Sequence, residues 1–139
     1  MESLSHIPII GESQFAIFRY DAANNIGYQL YKGDSTALMT EEEYKEEMQR
    51  VLHYCLEKQI SNLLADTRNF LFVITPPIQE WTDANIFAPN IYLKKLALIV
   101  SEDFVSQLAL EQVIEEGSSA RFVTRFFSNI ESAEQWLKS

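Results

Sequence analysis

Leu63-Leu64-Ala65-Asp66-Thr67-Arg68, followed by Phe70-Leu71-Phe72-Val73-Ile74-Thr75-Pro76-Pro77-Ile78-Gln79-Glu80-Trp81, decides the fold. The first apolar run is short and uninterrupted, the pattern of a strand covered on both faces of its sheet. It ends in an acid and a hydroxyl. A second apolar run leads to Thr75 and two prolines, which predicts a helix over residues 77–85 with Thr75 as N-cap, because proline tolerates the first helical turn. In open α/β sheets the carboxyl ends of strands, and the helix N-termini beside them, are where other molecules are met. Asp66, Thr67, Gln79 and Trp81, with Phe87 and Tyr92 in the loop beyond the helix, are therefore a candidate contact surface, and Thr75 at the helix start belongs to it.

Upstream, residues 15–20 and 26–31 flank the polar insert Asp21-Ala22-Ala23-Asn24-Asn25, which predicts an antiparallel hairpin. Thr40 with Glu43 makes a capping box for a helix over residues 41–59. Along it Tyr44, Met48, Val51, Leu52, Cys55 and Leu56 recur at three- and four-residue steps. Glu43, Glu46, Glu47, Arg50, His53 and Glu57 fall on the opposite, solvated face, with Glu46 placed to pair with Arg50. Residues 1–11 are expected to be loosely ordered.

Downstream, residues 60–66 form a central strand, and Ile86-Phe87-Ala88-Pro89-Asn90-Ile91-Tyr92 reads as an irregular apolar loop. Leu96-Ala97-Leu98-Ile99-Val100 is a further buried strand, ended by Ser101, whose hydroxyl caps a helix running to about Glu116. Phe104, Val105, Leu108, Leu110, Val113 and Ile114 spread over most of that helix's circumference. A last strand over residues 121–127 precedes a terminal helix over residues 129–138, with Ser128 and Glu131 as its capping box. A hairpin followed by α, β, α, β, α, β, α defines an α/β fold: one domain over residues 1–139, its mixed sheet parallel after the first strands and covered by helices.

The 139 residues carry 20 acids against 11 bases, a formal charge of -9, so a nucleic-acid phosphate backbone would be repelled. The longest basic run, Lys94-Lys95, argues equally against docking on anionic lipid. No window approaches the roughly 20 apolar residues that span a bilayer, and no secretory leader pattern opens the chain; a cytoplasmic protein without membrane insertion is expected. Cys55 stands alone, so no intrachain disulfide forms, and it reads as a small buried apolar side chain.

The residue types needed for catalysis are not assembled. His6 and His53 are the only histidines, neither at a strand end where a general base would sit. His53 and Cys55 point in different directions from one helix and make no zinc pair. Gly11, Gly27, Gly33 and Gly117 have no phosphate-cradling spacing. An acid pair of Asp66 and Asp103 lacks a nucleophile, metal or cofactor; the simpler role for Asp66 is to cap its turn or pair with Arg68. No catalytic, cofactor-binding or metal-ligating residue is assigned. Trp81, Phe87 and Tyr92 either line a ligand pocket or pack as core and loop.

The order of hairpin, acid-capped helix, Leu63-Leu64-Ala65-Asp66, the Thr75-Pro76-Pro77-Ile78-Gln79-Glu80-Trp81 helix start, Lys95-Leu96-Ala97-Leu98-Ile99-Val100, Phe126-Phe127-Ser128 and Glu134-Gln135-Trp136-Leu137 resembles the SpoIIAA-like members of the STAS superfamily. The resemblance covers residues 15–137 and is nearest to small stand-alone bacterial proteins of that kind. It implies a non-enzymatic domain like the anti-sigma-factor antagonists, which bind a kinase-like partner and are switched by phosphorylation at a helix N-terminus. That position falls near Thr75, although the antagonists carry an Asp, two small hydroxyl residues and Gly where this chain has Ile74-Thr75-Pro76-Pro77. A plain N-cap is the competing reading of Thr75. The same superfamily region is compared with CRAL-TRIO lipid-binding domains, and the surplus apolar residues over 86–93 and 104–114 would suit a hydrophobic cleft or a homodimer interface. The leading expectation is a regulatory module binding a protein partner or a second copy of itself; the alternative is a carrier or sensor of a small hydrophobic ligand.

Overall fold

A computed structural model describes residues 4–104 and 121–139. Among them six strands make one sheet: β1 (Ile9–Glu12), β2 (Ala16–Asp21), β3 (Ile26–Tyr31), β4 (Asn62–Asp66), β5 (Lys95–Ile99) and β6 (Val123–Phe127). They lie side by side in chain order, antiparallel across β1, β2 and β3 and parallel from β3 to β6. The expected α/β architecture with an N-terminal hairpin is thus present, and β4 is central as expected. The hairpin closes because Asn25 takes the left-handed conformation, φ 53°, and the Asp21 carboxylate accepts from the Asn24 side chain at 2.8 Å.

Residues 4–11, expected to be loose, are instead built in. Ile7 is buried, β1 pairs with β2 across a register irregularity between Ile9 and Gly11, and the Arg19 guanidinium donates to the carbonyls of Leu4 and Ile7. Pro8 and Gly11 obscure a strand pattern in the sequence, yet both are tolerated at a sheet edge. Gly11 has a positive reason to be there: an added Cβ would fall 1.8 Å from the Tyr54 hydroxyl oxygen.

Alternation along the strands sends Ile26, Tyr28, Leu64, Ala97 and Ile99 to one face, where Ala133 and Leu137 of helix α3 (Ile130–Lys138) cover them. On the other face Phe18, Leu63 and Leu96 meet Val51 and Cys55 of helix α1 (Glu41–Lys58). Burial on both faces explains why β4 and β5 read as continuous apolar runs rather than alternating ones.

Helix α1 starts on the expected capping box, with Glu43 N–H donating to Thr40 Oγ1 at 3.1 Å and Thr40 N–H to Glu43 Oε1 at 2.9 Å. Its buried stripe is Tyr44, Glu47, Val51 and Cys55, rotated from the expected one. Leu56 stands half in solvent, whereas Glu47, assigned to the solvated face, is 4 % exposed. The buried carboxylate accepts from Ser13 Oγ at 2.9 Å and lies 3.7 Å from Arg50, so the arginine serves Glu47 rather than Glu46.

Helix α2 (Pro76–Thr82) begins one residue before the expected position and widens into a π-helical turn over Asp83–Phe87. Thr82 sits at the junction, buried, donating to Ile78 O and accepting from the Tyr44 hydroxyl, each at 2.8 Å. Helix α3 is capped by Asn129, whose side chain accepts from Ser132 N–H at 2.8 Å, and not by the Ser128 and Glu131 box. Ser101 caps as expected, accepting from Phe104 N–H at 3.2 Å; the rest of the helix expected after it, residues 105–116, lies outside the described residues. No helix among the described residues is long and apolar enough to cross a membrane.

Candidate functional site

The parallel strands β3, β4 and β5 end on the same edge of the sheet, so the segments that follow them, residues 32–40, 67–75 and 100–104, gather there. Two of the candidate residues spend their chemistry inside this edge. Asp66 accepts from Arg68 Nε at 2.9 Å and Nη2 at 2.7 Å, a bidentate pair, while also accepting from the Arg68 backbone at 3.2 Å. Thr67 donates both its N–H and its hydroxyl to Ile99 O, at 3.0 and 2.8 Å, which ties the end of β4 to β5. Both residues shape the edge.

Residues 70–75 cross it with neither helix nor sheet pairing. Phe70 and Phe72 turn inward, Phe70 against Tyr31 at 4.8 Å between ring centroids and Phe72 stacked on Tyr44 at 5.1 Å. Thr36, fully buried, holds the segment to the loop after β3 by accepting from Leu71 N–H at 2.7 Å. The remaining side chains face water: Leu71 is 51 % exposed, Val73 75 % and Ile74 39 %, and in the loop after β3, between Thr36 and Met39 that touch this segment, Leu38 is 92 % exposed. Exposed apolar side chains at neighbouring positions make this segment a candidate contact surface.

Thr75 follows this strip. Its backbone has the extended N-cap conformation, φ −84° and ψ 166°, but its exposed hydroxyl makes no capping hydrogen bond. The expected side-chain cap is therefore not formed; Pro77, at the second helical position, removes one of the two donors a cap would serve. Gln79 is exposed and donates to Asp83 at 2.9 Å. Trp81 packs edge-on against Tyr44, with Lys45 Nζ 5.1 Å from its ring centroid, so its indole lies against α1 rather than down on the sheet.

Trp81 belongs to the cluster of Phe15, Met39, Tyr44 and Ile78, whereas Phe87 packs on Phe122 in the separate cluster of Phe18, Val51 and Leu93. Tyr92 is half-buried in the turn before Leu93. The pocket imagined for these three aromatics is not assembled; they serve two cores and a loop. Asp66 is likewise committed to Arg68, while Asp103 is exposed. Cys55 is fully buried, and burial pushes its thiol up to about 11, partly offset by a hydrogen bond from Asn90. A shallow crevice of about 310 Å³ opens beside Ser13, Glu43, Glu46, Glu47 and Arg50, its buried acid satisfied by Ser13. No group of three or more His, Cys, Asp or Glu among the described residues is placed to hold a metal ion.

The chain matches no protein-family model, no curated protein and no solved structure, so the site stands on its own geometry. Leu38, Thr36 and the outward residues 71, 73 and 74 were not among the candidates read from sequence. A run apolar at every position carries no period, so its inward aromatics could not be told from its outward aliphatics. The partial signal was the aromatic character of positions 70 and 72 alone.

Proposed function

We propose that this is a non-catalytic binding and regulatory domain of the SpoIIAA-like STAS kind, acting by protein–protein contact at the carboxyl end of its sheet beside the Thr75 helix start. The observation that carries the reading is the exposed apolar strip of Leu38, Leu71, Val73 and Ile74, held on an aromatic base immediately before Thr75. The exposed Thr75 hydroxyl, free of a capping role, suits modification, and a phosphate there would add nearly two negative charges to the contact face. Capture of partners from cell extract on immobilised protein tests the reading. Wild type is expected to hold specific partners that Thr75→Glu and Trp81→Ala release; retention of every one by both variants ends the proposal.

A further inference from the structure

The strip has a second property besides being apolar. Among the described residues the N–H groups of Phe72, Val73 and Ile74 have no hydrogen-bond acceptor, so a short run of main chain is left unpaired at an exposed position. Its inner side chains are locked: Phe72 lies on Tyr44 with ring planes 14° apart, Phe70 is wedged against Tyr31, and Thr36 fixes Leu71. Backbone held rigid from beneath, with free donors and alternate side chains outward, is what an added strand requires.

The charge around the strip indicates what would lie on it. Asp34 precedes Leu38 in the same loop, Glu42 follows it in the first turn of α1, and Glu80 follows Thr75 in α2; all three are exposed and form no ion pair among the described residues. The nearby bases are engaged, Arg68 by Asp66 and Lys45 by Glu41. A second copy would bring the same acids and a further charge of -9 to this rim. A basic partner would instead be drawn to it.

We propose that residues 70–75 are a docking strand, and that the occupant is an extended segment of a partner protein with alternating apolar side chains and Lys or Arg at its flanks. The segment pairs its backbone with Phe72 and Ile74, whose N–H groups lie on one side of an extended run, opposite the Leu71 N–H that Thr36 takes, and sets its apolar side chains on Leu71 and Val73. This rests on the reading of the same face as a protein-contact surface and specifies the mode and the partner chemistry.

Selection of a randomised peptide library on the full chain tests it. Enriched peptides are expected to alternate apolar residues between basic ends, to bind more weakly as salt rises, and to lose about tenfold in affinity to Ile74→Pro, which removes one donor on the open side while Ile74→Ser keeps it. Backbone N-methylation of the best peptide at its pairing positions should cost as much, an arm that holds if Ile74→Pro misfolds. Failure of any peptide to enrich, enrichment of acidic or helically patterned ones, or indifference to both the proline and the N-methyl groups overturns the proposal. So does a wild-type dimer in sedimentation that Val73→Asp dissolves, since a second copy would then own the strip. If extract partners are released by Val73→Asp and Thr75→Glu but kept by Ile74→Pro, the contact face survives and the strand mode fails; if all three variants keep them, both fail.

Discussion

Gly11 and Glu47 face each other's neighbourhood from β1 and α1, and each is explained by what a different residue would do there. At Gly11 the limit is space. The Tyr54 hydroxyl occupies the volume of the missing side chain, and Tyr54 is itself tilted against Phe18 at 4.9 Å, so it has little room to withdraw. Gly11→Ala is expected to cost about 1–3 kcal/mol as an overpacking substitution, read as a lower denaturation midpoint with unchanged slope. An unaffected midpoint would mean that β1 lifts off at no cost. At Glu47 the limit is polarity: a carboxylate on the buried stripe persists because Ser13 donates to it and Arg50 stands close. Periodicity located that stripe to within one step but could not tell which member would be an acid, because the partner that makes the acid tolerable lies 34 residues away in the chain.

At the scale of elements, the helix starts separate two uses of a hydroxyl that look alike in sequence. Thr40 closes a reciprocal box with Glu43, whereas Thr75 occupies the same backbone conformation and bonds nothing as a cap. Thr40→Ala is accordingly expected to destabilise by about 1 kcal/mol, while Thr75→Ala should stay within about 0.5 kcal/mol of wild type. Equal losses in chemical denaturation would show that Thr75 caps α2 after all and is not free for modification. Element types and order were legible where a single rule governs: the hairpin from its polar insert, α1 from its box, β4 and β5 from unbroken apolar runs. They were less legible where elements compete. The π-helical turn depends on Thr82 being shared between Ile78 and Tyr44, a contact made only once α1 and α2 are packed. The candidate site was half legible: strand ends and prolines pointed to this edge of the sheet and to the helix start at Thr75, but Asp66 and Thr67 are internal ties, and the outward strip was hidden in an aperiodic apolar run.

For the whole molecule, burial in two opposed layers sets an alkaline limit on stability. On the α3 side Tyr28, wholly buried, donates to Glu134 at 2.6 Å, and its phenol is pushed far up by burial first and then by that carboxylate. On the α1 side burial raises Tyr31, Tyr44 and Cys55. In each case the folded chain binds its proton more tightly than the unfolded one does. Stability is therefore fully present below the unfolded value and falls as pH rises through the interval up to the folded value. The thiol acts first: raised from 9.0 to about 11, it removes about 2–3 kcal/mol across that interval, and the phenols extend the loss from their ordinary value of 10.0 upward. Denaturation midpoints measured across this range should hold steady to about pH 9 and then decline without recovery. In Cys55→Ala the plateau, whatever its height, should extend to near pH 10 before the phenols act. A wild-type plateau persisting to pH 11 would mean that the thiol and phenols reach solvent without unfolding, and that α1 and α3 do not seal the two faces of the sheet.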